Sequence, residues 1–229
     1  MPNFNIIKTS EYKNTFRNES IKGQFDLKIK SITETFTGNI DIENKDWQIG
    51  IIVGSSGSGK TTIAKEVFKD SYITDFNYSA SSVLDEMPQN KSTNEITKMF
   101  NSVGFATVWS WLKPYNVLSN GEKMRVDIAH SLLKDNDIIC FDEFTSVVDR
   151  TIAKTSSFAI QKAIKKTDKK FVAIACHHDI IEWLEPDWIY DTDKNEFFFA
   201  QENTKDQKLN LKFLGQTQSI GNYLKNIII

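Results

Sequence analysis

Hydrophobic residues along this chain follow two rhythms. Apolar runs at Trp47–Val53, Ile138–Phe141 and Phe171–Cys176 lack the alternation of a half-solvated strand and predict strands buried on both faces. Between them, apolar residues recur three and four apart. This occurs in Thr61–Lys69, Asn94–Phe100 and Ala106–Leu112, in the stretch carrying Val126, Ala129, Leu132 and Leu133, and in one through Ala159, Ile160 and Ala163. That spacing predicts helices with one buried face. Buried strand followed by helix is the pattern of an α/β fold with a mainly parallel core sheet flanked by helices. Trp188–Tyr190 and Glu196–Ala200 are expected to close the sheet as a hairpin around Asp193-Lys194-Asn195.

The N-terminal part reads differently. Residues 4–8 and 24–30 alternate apolar and polar, which predicts strands of an antiparallel β layer. Glu34-Thr35-Phe36-Thr37-Gly38 is expected to turn, and Asn39-Ile40-Asp41-Ile42 to form another short strand. The expected organisation is one domain over residues 1–200, with a small helical subdomain at about 85–135 and a C-terminal extension over 201–229. In the subdomain, Trp109 and Trp111 flank Ser110 and either pack together or offer a partner surface. In the extension, Lys208–Leu214 alternates as a strand would, and its lysines suit a solvated face.

The first buried run leads into Gly54-Ser55-Ser56-Gly57-Ser58-Gly59-Lys60-Thr61-Thr62, which fits G-x-x-x-x-G-K-[ST] at Gly54, Gly59, Lys60 and Thr61. A Gly/Ser linker can match such a pattern, but this one stands between strand and helix, the context the motif requires. Its glycines let the backbone turn N–H groups inward on a polyphosphate, and the helix start adds partial positive charge. Lys60 can reach the β- and γ-phosphates, and the Thr61 hydroxyl can bind Mg²⁺.

The second run ends in Asp142-Glu143 and the third in His177-His178-Asp179. A carboxylate at the C-terminal end of a parallel strand beside a phosphate loop is where Mg²⁺ needs a ligand, and a second can polarise an attacking water. Ser119-Asn120-Gly121-Glu122 opens a helix, and a capping box between Ser119 and Glu122 accounts for it without catalysis. Phe36, upstream of the loop, either stacks on adenine or fills a core. Gln89 is a candidate sensor of Mg²⁺ and water, or a plain loop residue.

Composition narrows the class. With 229 residues, 40% of them hydrophobic, and a net charge of −2, the chain can bury a real core, and its overall charge gives no reason to expect nucleic acid or a membrane surface. The start lacks a signal-peptide architecture and no run reaches membrane-span length, so no membrane insertion is expected. Cys140 and Cys176 lie in or at the end of predicted core strands, which predicts buried free thiols in a reducing cytoplasm.

Taken together, the motifs resemble those of the ABC-type ATPases. GSSGSGKT looks like Walker A. LSNGEKMRVDIAHSLL is similar to the signature LSGGQ-x-QR-x-x-I-A-R-A-L. DIICFDEFTSVVD resembles Walker B with the D-loop, and ACHHD the switch-histidine loop. The set is similar to small bacterial or phage members that lack a long coiled coil. The resemblance implies the P-loop NTPase fold of ABC type and hydrolysis of ATP to ADP and phosphate with Mg²⁺. It further implies a nucleotide-driven homodimer acting as a switch on a partner protein or nucleic acid. Lys60, Thr61 and Asp142 would hold ATP and Mg²⁺, with Gln89 near the metal. Glu143 would be the general base and His177 the γ-phosphate contact. Ser119, Asn120 and Gly121, with Asp149, would reach the nucleotide of a second chain.

Departures from the pattern are local. Asn120 replaces the usual glycine, Glu122 the usual glutamine, and His130 stands where arginine is common. An H-D pairing would select His178 as the switch histidine, whereas counting from the strand end selects His177. The interval between Lys60 and Ser119 is short for a transporter subunit and leaves no room for a long coiled coil. The ATP-binding subunit of a membrane transporter is therefore the alternative expectation.

Overall fold

The computed structural model describes residues 3–28, 31–73 and 76–199. Its N-terminal layer is a ribbon of β1 (Asn3–Glu11) and β2 (Ser31–Asn39), antiparallel, with Ile6 opposite Phe36 and Lys8 opposite Glu34. Between them lies helix α1 (Phe16–Gln24), capped by the Thr15 hydroxyl. Residues 24–28 of the expected strand at 24–30 are not strand, residues 29 and 30 lie outside the described residues, and the expected turn at Glu34–Gly38 is overturned. Gln24 ends a helix, and Glu34–Gly38 lies inside β2. Of Asn39–Ile42, only Asn39 is strand.

Beyond the ribbon, β3 (Ile49–Val53) enters helix α2 (Lys60–Val67). Helices α3 (Thr93–Ser102) and α4 (Val108–Trp111) and a 3-10 turn (Tyr115–Val117) follow, then α5 (Asn120–Leu133). The chain continues through β4 (Ile138–Phe141), α6 (Arg150–Ile164), β5 (Lys170–Ala175), α7 (Ile180–Leu184), β6 (Trp188–Asp191) and β7 (Glu196–Phe199). These strands form one sheet in the order β4-β5-β3-β6-β7. All neighbours are parallel except the terminal β6–β7 pair.

Every residue of β3 is buried, and so are Phe171 to Ala175, as unalternating runs demand. Two apolar clusters cover the two faces of the sheet. One, around Phe100, Phe144, Phe171 and Ile128, joins the sheet to the helical region. The other, around Trp188, Tyr190, Ile52 and Ile63, lies under α2 and the ribbon. Trp111 is buried with its indole N–H on the Phe105 carbonyl at 2.8 Å, whereas Trp109 is 79% exposed and does not pack inside. Among the described residues, no helix is long and apolar enough to cross a membrane. The expected extension, 201–229, and the last residue of the expected strand, Ala200, lie outside the described residues.

Candidate functional site

Strand β3 delivers Gly54–Gly59 to the C-terminal edge of the parallel sheet, and the loop then closes into α2. Gly59 caps the helix with φ of +87°, a conformation L side chains adopt at a cost, and the Phe36 ring fills the space where a Cβ would stand. The Lys60 ammonium is buried and donates to the Gly54 and Ser55 carbonyls at 2.9 and 2.6 Å, so the loop is curled around its own cation.

The segment after β6 braces this loop from behind. The Asp193 carboxylate accepts from Ser55 N–H and Ser55 Oγ at 2.8 and 2.7 Å. The Ser58 and Thr192 hydroxyls lie 2.6 Å apart, and Thr192 N–H donates to the Val53 carbonyl. Gly54 leaves no room for a side chain there, because a Cβ would stand 2.1 Å from Thr192 Oγ1.

Strand β4 places the acids beside the loop. Thr61 Oγ1 donates to Asp142 Oδ2 at 2.8 Å, the Tyr72 hydroxyl donates to the same oxygen at 2.5 Å, and Glu143 N–H donates to Oδ1. The Tyr72 phenol is held well above its ordinary pKa by burial and then by the Asp142 contact, so it remains a donor. Glu143 has φ of 50° and Thr145 φ of 63°, both in the left-handed region. For β-branched Thr145 this costs on the order of 1–3 kcal/mol. The turn is held by Phe144, whose N–H donates to the Ile174 carbonyl and whose ring is buried in the core. Glu143 is thereby left exposed while its neighbour is buried.

One cavity of about 280 Å³ collects these groups. Its walls are Ser56, Gly57, Gly59, Lys60, Thr61 and Thr62 of the loop; Asp142, Glu143 and Ser146; Ile174, Ala175 and Cys176 of the β5 end; and Lys8, Glu34 and Phe36 of the ribbon. Gly54, Ser55 and Ser58 belong to the same loop and form its braced back. Lys8 Nζ donates to Thr62 Oγ1 at 2.7 Å. A hydroxyl and a carboxylate oxygen 2.8 Å apart are hard donors that suit Mg²⁺, which binds few protein ligands and keeps waters and phosphate oxygens. Among the described residues, no group of three or more His, Cys, Asp or Glu could hold a metal by itself.

The other expected site residues stand elsewhere. Gln89 is exposed in the loop before α3, donates to the Asp85 carbonyl, and lines no part of this cavity. His177 is exposed just beyond β5, outside the cavity walls. His178 is half-buried with Nε2 at 3.8 Å from Asp191 Oδ2, and burial lowers its pKa. Cys176 is free but exposed, which corrects the expected burial, because β5 ends one residue earlier.

Ser119 caps α5 in a capping box with Glu122, and both Ser119 and Asn120 are exposed. Burial alone would raise the Glu122 carboxyl, but hydrogen bonds from Ser110 and Ser119 reverse this and lower it. Gly121 is buried beside Ile152, and Asn120 Nδ2 approaches the Val147 carbonyl at 3.4 Å. Asp149 caps α6 through Thr151 and Ile152 N–H. None of Ser119, Asn120, Gly121 or Asp149 lines the cavity of this chain. Sequence reasoning missed Lys8, Glu34, Tyr72 and Asp193. Of these, only Asp193 stood in a stretch the sequence singled out, the expected hairpin turn around Asp193-Lys194-Asn195.

The family described as "ATPase family associated with various cellular activities (AAA)" matches residues 51–182. The Staphylococcus aureus energy-coupling factor transporter ATP-binding protein EcfA1 is 27% identical over 184 residues, 64% of this chain and 68% of that protein. Heavy metal tolerance factor 1 of Caenorhabditis elegans is 28% identical over 73% of this chain, but the match spans only 26% of that protein. In fold, the chain resembles the ADP- and phosphate-bound dimeric ATP-binding cassette MJ0796. The TM-score is 0.59 at 14% identity, covering 87% of this chain and 98% of that one. The family match spans more than half of the chain and agrees with the phosphate loop, the acid pair and the sheet order: the chain belongs to this ATPase family and has the fold of an ATP-binding cassette.

Proposed function

We propose that the protein is a nucleotide-driven dimerisation switch that acts on a partner protein or nucleic acid. The observation that carries this reading is the one-sidedness of the site. Loop, acids and ribbon line the cavity, while Ser119 and Asn120 at the start of α5, and Asp149, are exposed and are not among its walls. A helix N-terminus with free N–H groups suits a γ-phosphate, and a second chain can supply one. Lys60 then neutralises β/γ charge, and Thr61 with Asp142 holds Mg²⁺, which supplies charge stabilisation to the phosphoryl oxygens. Glu143 takes the proton from the attacking water, and His177 orients toward the γ-phosphate on closure. Phe36 offers its face to the adenine, beside the phosphates its ribbon already overlooks.

A second reading is favoured by a different observation. The relative EcfA1 is named as a transporter ATP-binding protein, and the helical region of this chain exposes Val108, Trp109, Leu112 and Val117. These side chains suit a membrane partner's docking element. Trp109-dependent recovery of the protein with membranes would favour that reading.

The switch is tested with Glu143→Gln, which keeps shape while removing the base. Light scattering with Mg-ATP is expected to show a dimer, and adding Ser119→Arg is expected to return it to monomer with ATP still bound. A Glu143→Gln protein that stays monomeric with ATP bound would overturn the reading.

A further inference from the structure

Tyr72 belongs to neither the phosphate loop nor the acid motif, yet it reaches the carboxylate between them. After α2 the chain runs along the free edge of β4. Cys140 N–H donates to the Ser71 carbonyl at 2.8 Å, and Ile73 N–H donates to the Cys140 carbonyl at 2.9 Å. This parallel bridge sets Tyr72 beside Cys140, two residues before Asp142. The ring is steadied by the Lys65 ammonium, 5.0 Å above its face. Its hydroxyl then donates to Asp142 Oδ2, the oxygen that also accepts from Thr61. Backbone, ring and hydroxyl thus converge on one oxygen.

The two donors on Oδ2 are not equivalent. Thr61, in the first turn of α2, lines the cavity, and its oxygen is the one a divalent cation would share. Tyr72 is not among the residues lining that cavity, and its phenol donates to Oδ2 from outside them. When Thr61 turns toward a cation, Tyr72 is the side chain left to fix the carboxylate. A hydrogen bond to a charged acceptor of this kind is worth enough to change an equilibrium about tenfold.

We propose that Tyr72 is a positioning residue for the divalent cation, holding Asp142 in the orientation that anchors Mg²⁺ against the phosphate loop. The inference rests on Asp142 serving the cation. It assigns to the segment between α2 and the helical region a part in metal-dependent nucleotide binding.

Tyr72→Phe removes the donor and keeps the ring. Binding of a fluorescent ATP analogue is measured first in EDTA and then along a Mg²⁺ titration, for the parent, Tyr72→Phe and Asp142→Asn. The expected result is EDTA binding within about twofold of the parent, with the Mg²⁺ midpoint raised about five- to tenfold. Turnover should recover at high Mg²⁺. An unchanged midpoint in Tyr72→Phe, with a clear Mg²⁺ dependence in the parent, overturns the role of Tyr72 alone. Loss of EDTA binding together with a lowered Tm overturns it too, since the hydroxyl would then be supporting the fold. A parent whose binding ignores Mg²⁺, as Asp142→Asn does, overturns the anchor role of Asp142 and the proposal with it.

Discussion

Gly59→Ala should damage the protein through Phe36, and the damage should be partly reversible at Phe36. Two costs add at this position. The first is backbone: φ of +87° places alanine in the left-handed region, at about 1–2 kcal/mol. The second is steric: the new Cβ would stand 2.3 Å from Phe36 Cε1, whereas carbon atoms in contact sit at about 3.5–4.0 Å. The ring must therefore leave Gly59 and surrender contacts worth about 1–2 kcal/mol for a half-buried aromatic, well under the cost of emptying a core Phe site. Phe36→Ala alone forfeits the same contacts. In the double variant the clash is gone and only the backbone cost and one loss of packing remain. Urea unfolding of the four proteins should thus give a coupling of about 1–2 kcal/mol, the double variant being more stable than the sum of the singles. Calorimetry with ATP should show the same pattern of partial rescue if the ring's seat on the loop shapes the nucleotide cavity. Strict additivity, within about 0.5 kcal/mol, would refute the contact.

Two further outcomes follow from the histidines. His177→Ala should slow ATP turnover far more than His178→Ala. His178→Ala should instead lower Tm, since that ring is half-buried against Asp191; reversed effects on turnover would remove His177 as the phosphate contact. His130 stacks on Phe76 at 4.4 Å, and burial, with Lys134 adding, lowers its pKa to about 4. Its folded pKa is below its unfolded value, so the unfolded chain binds the extra proton and stability is lost as pH falls from about 6.5 to about 4. The full shift corresponds to about 3 kcal/mol, and partial exposure reduces this to about 1–2 kcal/mol. Chemical unfolding at pH 7 and pH 5 should show that slope in the parent and a shallower one in His130→Gln. Equal slopes would refute it.

The parts of this molecule legible in the sequence are those whose burial is uniform. β3 throughout and β5 from Phe171 onward are buried and so carry an unbroken apolar signature, and the phosphate loop between β3 and α2 is fixed by covalent spacing alone. Even Gly50, a weak strand former, has its reason, since the Trp188 indole occupies the space of its missing Cβ. Periodicity fails where burial fails. Helix α1 buries none of its residues and leaves Phe16 89% exposed, so no helical stripe exists to be read. Strand β2 leaves most of its side chains to solvent, and the polar pattern around Phe36 looks like a turn although its pairing with β1 makes it a strand. Cys176 differs from its expected burial for a related reason, since a single residue of offset at a strand end decides whether a side chain is covered. Tyr72 was illegible for a deeper cause. Its role depends on which edge of β4 the chain returns to after α2, and no local pattern encodes that choice. The acid at Asp142 could be read from its strand, but the donor behind it becomes visible only once residues 71–73 are paired with Cys140. Groups that supply chemistry are announced by motif, whereas those that aim it are assigned by topology.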